Sequence, residues 1–283
     1  MSFHQVPQTF VRQVNLKVQD LERSLTFYQE QIGLRVLEQT ETTAALTADG
    51  KTALLTLEAP ADAEPKAGRT TGLYHYALLL PTRRDLARTV RHLTSLGMRL
   101  GTSDHTVSEA LYLSDPDGNG IEIYRDREAS SWTWSEGEVA MAVDPLDFHG
   151  LLAEDQGTPW TGLSEGTIMG HIHLHVAELG EAERFYCQGL GFDVVARYGN
   201  QAAFISTGGY HHHIGLNTWN GVGAPRPSEQ TVGLVSYELI YPSAEARSQA
   251  VERLRGLGSE VAEEAGAFVA ADPSGNRAVL VVG

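Results

Sequence analysis

The chain has 283 residues, about two average domains, and its 42% hydrophobic and 20% charged content is that of an ordinary globular protein. A formal charge of −15 excludes the basic face that phosphate neutralisation on a nucleic acid requires, and a single cysteine, Cys187, excludes an intramolecular disulfide. No uninterrupted apolar run is long enough for a bilayer, and "MSFHQVPQTFVRQVNL" lacks a signal-peptide pattern, so a cytoplasmic protein without a membrane partner is expected.

In chain order, "VNLKVQDLERSLTFYQEQIGLRVL" (Val14 to Leu37) opens with the period-two alternation of a strand. It continues into a predicted helix with Leu21, Leu25 and Phe27-Tyr28 as its apolar stripe and Gly33 at its end. Short strands follow around "DGK" at Asp49. The stretch "GLYHYALLLPTRRDLARTVRHLTSLGMRL" (Gly72 to Leu100) then reads as strand, proline and helix, ending in Leu96-Gly97, with short strands around "DPDGNG" at Asp115. Residues 127–167 form a linker containing Trp132, Trp134, Pro145 and Pro159, and its tryptophans are expected to cover a domain surface.

After the linker the pattern recurs. "IHLHVAELGEAERFYCQGLGFDVV" (Ile172 to Val195) matches the first stretch, with Leu179, Ala182 and Phe185-Tyr186 as the stripe, Gly191 at the end and Cys187 as a buried passenger. "GLVSYELIYPSAEARSQAVERLRGLGSEV" (Gly233 to Val261) matches the second, ending in Leu257-Gly258. Turns fall at "TGGY" (Thr207) and "DPSGNR" (Asp272), where glycine and asparagine supply positive φ angles. Each unit reads β-α-β-β-β over about 50 residues, in A-B-A-B order. The expected fold is α+β, built from four βαβββ modules, one pair in residues 8–126 and the second in 168–283.

The stretch "HTVSEALYLSDPDGNGIE" carries His105, Leu111-Tyr112, the Asp115-Pro116 turn, Gly118 and a closing Glu122. It resembles the signature of extradiol ring-cleaving dioxygenases, departing from it at Ser103. With its four repeats, the chain resembles the vicinal oxygen chelate superfamily, which includes glyoxalase I, fosfomycin and bleomycin resistance proteins, and those dioxygenases. That resemblance implies that two units pair edge to edge into a cupped mixed sheet, two such domains in all. Each cup would hold a divalent metal on residues of the first and last strands of each unit.

The four first-strand positions are Gln13, His75, His171 and Ser236. Counted from the turn glycines, the last-strand positions are Leu54, Glu122, His213 and Val279. The good ligands all lie in the two middle units. This favours pairing of unit two with unit three over sequential pairing, which stays open. Inner pairing would make His75, His171 and Glu122 a metal triad with open positions, a set that suits Fe(II), with Mn(II) as a second choice.

The resemblance implies that His213 is then a catalytic proton shuttle, a role that suits an imidazole titrating near neutrality. Residues alternate faces along "YHHHIGLNTW", so a slip of one position exchanges His213 for His212. The resemblance also implies that His105 and Tyr112 contact the substrate and steady developing charge. His173 and His175 share a face with His171, while His4, His92 and His149 are expected to be structural or exposed.

The resulting expectation is a metal-dependent extradiol dioxygenase that takes a small catechol- or hydroquinone-type aromatic and dioxygen. The alternatives are a glyoxalase-like isomerase or lyase, with His213 as a fourth ligand to Ni, Zn or Co, and a ligand-sequestering resistance protein. A homo-oligomer is left open.

Overall fold

The structure is a computed structural model that describes residues 3–66, 68–155 and 157–283. Unit one comprises β1 (Phe10–Lys17), α1 (Leu21–Thr26), β2 (Arg35–Gln39), β3 (Thr43–Thr47) and β4 (Ala53–Glu58). Unit two comprises β5 (Gly72–Leu79), α2 (Arg83–Ser95), β6 (Gly101–Asp104), β7 (Ser108–Ser114) and β8 (Gly120–Asp126). The linker holds β9 (Trp134–Ser135), β10 (Glu138–Val139) and α3 (Phe148–Ala153). Unit three comprises β11 (Ile168–His175), α4 (Leu179–Glu183), β12 (Asp193–Tyr198), β13 (Ala202–Ser206) and β14 (Ile214–Asn217). Unit four comprises β15 (Gly233–Tyr241), α5 (Ala244–Gly256), β16 (Val261–Glu264), β17 (Ala267–Ala271) and β18 (Arg277–Val282).

α1, α2 and α5 start where a short polar side chain can take an orphan backbone N–H. Asp20 accepts from Arg23 N at 2.9 Å, Thr82 from Asp85 N at 3.1 Å and Ser243 from Ala246 N at 3.1 Å. The stripe residues Leu25, Tyr28, Leu86, Val90, Tyr186 and Leu254 then pack into one continuous core that takes side chains from both sheets.

Beside the small β9-β10 ribbon there are two sheets of eight strands, and each joins two units through an antiparallel seam between their first strands. Units three and two form the order β12-β13-β14-β11-β5-β8-β7-β6, and units four and one form β16-β17-β18-β15-β1-β4-β3-β2. The sequence halves 8–126 and 168–283 therefore do not each close a sheet; each half gives one unit to each. The reason is the pairing partner: β5 hydrogen-bonds to β11 and β1 to β15, so the two first strands of one half do not pair with each other.

The parallel pairing within each unit also corrects the last-strand positions. Glu122 lies opposite Ala77, two residues beyond His75. The same offset from Gln13 leads to Thr56, opposite Asn15, and the same offset from His171 leads to Gly215, opposite His173. In unit four it leads to Val279, as counted. Leu54 and His213 are thus two residues out, because the turns of units one and three differ in length from the acidic turns of units two and four.

In the outer sheet the corresponding face is occupied by mutual hydrogen bonds. Gln13 donates to Thr56 Oγ1 at 2.5 Å and to Asn15 Oδ1 at 2.9 Å, and Asn15 donates to Ser236 Oγ at 2.8 Å. These amides and hydroxyls satisfy one another and offer no anionic ligand.

The inner sheet has a structural ion cluster on β7. The Glu109 carboxylate is 1% exposed and accepts from Arg83 Nε at 2.9 Å and Arg125 Nε at 2.8 Å, with Arg127 at 3.5 Å. Burial pushes its pKa up, but the Arg83 and Arg125 hydrogen bonds outweigh that and hold it below the ordinary value. Its contribution is therefore complete above the unfolded-state value of about 4.3 and fades as pH falls through the lowered one. Glu109→Ala, which leaves three guanidiniums without their acceptor, is expected to lose about 3–5 kcal/mol in urea denaturation at pH 7. A loss under about 1 kcal/mol would mean that the arginines simply reach water.

Candidate active site

The seam of the inner sheet brings together the first strands of units two and three, and with them their polar inward residues. His75 on β5 and His171 on β11 point at Glu122 on β8. His75 Nε2 is 3.0 Å and His171 Nε2 3.1 Å from Glu122 Oε2, and the two Nε2 atoms are 3.4 Å apart. All three side chains are buried, and they form the one cluster of metal-ligating groups found among the described residues.

The spacing suits one shared ion. Ligand atoms about 2.1 Å from a metal and at right angles to one another stand about 3.0 Å apart, close to the observed separations. The protonation states suit it as well. Burial alone would raise the Glu122 pKa, but the two imidazoles hold it well below the usual carboxylate range. Burial lowers the His171 pKa to about 4, against the opposing pull of Glu122. Near neutral pH this gives a carboxylate beside a neutral His171, the forms in which these groups bind metals.

His75 and Glu122 of the trio line a cavity of about 830 Å³, in the range of small-molecule sites. Tyr74, Phe204 and Trp219 give it aromatic walls, and Val139 and Met141 of the linker close one side. A second cleft of about 900 Å³ meets it at Tyr74, His75 and Tyr112. The linker's contribution was not legible in the sequence. Trp132 does pack on the body of the protein, beside Phe3, Tyr210 and His211, as a covering residue should.

His105 and Tyr112 also line this cavity, and they touch one another. His105 Nδ1 lies 2.7 Å from the Ala142 carbonyl, which can only accept, so this nitrogen carries the proton. His105 Nε2 is then the acceptor for the Tyr112 hydroxyl at 2.7 Å. Burial first, and then the Glu122 charge, raise the Tyr112 pKa well above its ordinary value, so the phenol is neutral.

The histidine run sends its three rings three ways. His213 turns from the cavity: its Nε2 donates to Phe3 O at 3.0 Å, its Nδ1 accepts from Thr207 N at 3.3 Å, and it packs on His4 and Tyr210. His212 lines the cavity, with its ring centroid 4.1 Å from that of His171. His211 points at Asp126, 2.8 Å away. The expected place of His213 beside the metal set is therefore taken by His212. The alternation argument failed because β14 begins only at Ile214, so residues 211–213 lie in a loop without a strand's period. At the true counterpart of Glu122, any Cβ on Gly215 would sit 2.7 Å from the His173 ring. No side chain fits there.

Three of the other histidines have ordinary partners. His4 reaches Gly170 O at 2.7 Å, His92 reaches Glu30 O at 3.0 Å and stacks on Trp160, and His175 reaches Asn217 Oδ1 at 2.7 Å. His173 lies between Tyr74, His75 and Trp219, with burial driving its pKa well below the ordinary value.

A family model described as "Glyoxalase/Bleomycin resistance protein/Dioxygenase superfamily" matches residues 11–123 and 168–280. A curated relative, the catechol-2,3-dioxygenase of Bacillus subtilis (strain 168), is 46% identical over 268 residues, covering 94% of each chain. Among solved structures, a putative dioxygenase from Bacillus subtilis subsp. subtilis str. 168 aligns with a TM-score of 0.65 at 15% identity, over 96% of this chain and 84% of that one. Glyoxalase I from Zea mays aligns with a TM-score of 0.58 at 17% identity, over 96% and 92%. At such identities the two structures bear on fold alone. No helix among the described residues is long and apolar enough to cross a membrane.

Proposed function

The chain belongs to the Glyoxalase/Bleomycin resistance protein/Dioxygenase superfamily and is an enzyme similar to catechol-2,3-dioxygenase; from that premise we propose that it cleaves a catechol- or hydroquinone-type ring beside a hydroxyl-bearing carbon, using dioxygen and a divalent metal. One observation carries the reading: His75, His171 and Glu122 converge within 3.4 Å, and His75 and Glu122 line an aromatic-walled cavity together with His105, Tyr112 and His212.

His75 Nε2, His171 Nε2 and Glu122 Oε2 hold the ion. Two imidazoles and one carboxylate suit Fe(II), with Mn(II) as the alternative. When bound, the metal supplies a template for the substrate oxygens and dioxygen and a path for electrons between them. The protein's own side chains do the rest. Tyr74, Phe204 and Trp219 flank the ring and exclude water. His212 Nε2 accepts the proton of a substrate hydroxyl and later returns it. Burial lowers the His212 pKa well below the ordinary value, which keeps this base neutral before the substrate arrives. Tyr112 Oη, its hydrogen committed to His105, offers lone pairs to a second hydroxyl.

A glyoxalase-like isomerase with four ligands is less well supported, because Gly215 stands at the register of the fourth ligand and His213 faces Phe3. A purely sequestering protein has no use for the buried triad.

The test is oxygen uptake by protein loaded anaerobically with Fe(II) and given catechols and hydroquinones. Substrate-dependent uptake with a coloured ring-opened product is expected. Protein shown to hold iron that consumes no oxygen with any of them would overturn the reading.

A further inference from the structure

Behind His212 lies a chain of hydrogen bonds that neither the ligand set nor the cavity wall explains. The Asp126 carboxylate, at the end of β8, has Oδ1 2.8 Å from His211 Nε2. On the far side of that ring, His211 Nδ1 is 2.8 Å from His212 Nδ1. The ring of His211 is otherwise enclosed, with its centroid 5.2 Å from Trp132 and 4.1 Å from Tyr210. The Tyr210 hydroxyl also donates to Asp126 Oδ1, at 3.2 Å, and itself accepts from Tyr124 at 2.7 Å. Asp126 thus stands at the end of two donor chains, both drawn from the loop of residues 210–212 and its surroundings.

The proton positions follow in sequence. A carboxylate only accepts, so His211 Nε2 carries a proton. In the tautomer that donates only to Asp126, His211 presents a lone pair at Nδ1, and His212 Nδ1, 2.8 Å away, is the donor to it. A neutral His212 with its proton on Nδ1 has its lone pair on Nε2, the nitrogen on the opposite side of the ring from this chain.

We infer that Asp126 and His211 are positioning residues that fix the tautomer and orientation of His212, so that its Nε2 faces the cavity as a proton acceptor. The inference rests on the catalytic reading given above for His212. When a substrate O–H bond breaks, the proton forms an N–H bond at Nε2, and His212 keeps its Nδ1–H throughout. The resulting imidazolium donates to His211, whose other N–H donates to Asp126, so the positive charge in a closed site is answered by a carboxylate two rings away. Without the relay His212 is free to carry its proton on Nε2, where it can accept nothing.

The experiment is ¹⁵N-histidine NMR on the full chain loaded with diamagnetic Zn(II), with the His212 signals identified by their loss in His212→Gln. Long-range ¹H–¹⁵N couplings separate the two neutral tautomers. The parent protein is expected to show His212 protonated on Nδ1, and Asp126→Ala and His211→Phe to show a mixture. With Fe(II), both variants are expected to lose roughly 10–100-fold in kcat with little change in KM, as outer-shell partners of a metal site typically do. A parent protein with the His212 proton on Nε2 overturns the inference, whether or not either variant folds. So does an Asp126→Ala variant with unchanged tautomer and kcat. The tautomer readout needs no turnover, so an enzyme inactive on every aromatic would sink the functional reading and leave this measurement to stand by itself.

Discussion

Glu122→Gln is expected to lose bound metal and turnover together. The substitution keeps the shape of the side chain and removes its charge, so any effect is chemical. In the parent the carboxylate is ionised, and it is the acceptor that both His75 Nε2 and His171 Nε2 approach, at 3.0 and 3.1 Å. An amide offers one weaker oxygen, and its NH2 group repels a cation. Removing merely an outer-shell partner costs about 10–100-fold in metal affinity, so loss of the only anionic ligand should cost at least about 100-fold. Metal analysis after gel filtration, beside oxygen uptake on the same sample, reads both quantities. Full occupancy with intact turnover would remove Glu122 from the ligand set.

The second large effect separates two adjacent histidines. His212→Gln is expected to keep its metal and fold while kcat falls by about 10²–10⁴, the usual worth of a positioned acid or base. His213→Gln is expected to keep kcat within a few-fold and to lose stability instead, by about 1–3 kcal/mol, because Phe3 O and Thr207 N lose their partner in a buried place. Steady-state kinetics beside thermal unfolding distinguishes them. The reverse pattern, a dead His213 variant and an active His212 variant, would return the proton shuttle to His213.

That pair also marks how far the sequence could be read. The repeats were legible because strand and helix periods, with glycine at their ends, recur at corresponding positions. His75, His171 and Glu122 were legible because each lies on a regular strand, where counting residues tracks direction. The choice between inner and sequential pairing followed from chemistry, since only the middle units carry histidine and carboxylate side chains at those positions. His212 and His213 lie just before β14, and in a loop the count no longer says where a ring points. Likewise, nothing near Asp126 in sequence announces His211, 85 residues away. The wall formed by Val139 and Met141 comes from a linker with no period at all.

The nested seams have a bearing on how the chain acquires its shape during synthesis. β1 has its antiparallel partner in β15, with Phe10 opposite Ile240, and β5 has its partner in β11. When units one and two are made, each holds a first strand whose partner in the finished structure is still missing. Unit three closes the inner sheet and brings His171 to His75 and Glu122; unit four closes on β1. Contacts so distant in sequence are slow to form, and open edges invite pairing with other chains in the interval. The first half is therefore the aggregation-prone part of a nascent molecule. An inner sheet that closes first would let an ion on His75, His171 and Glu122 hold it while the rest is made.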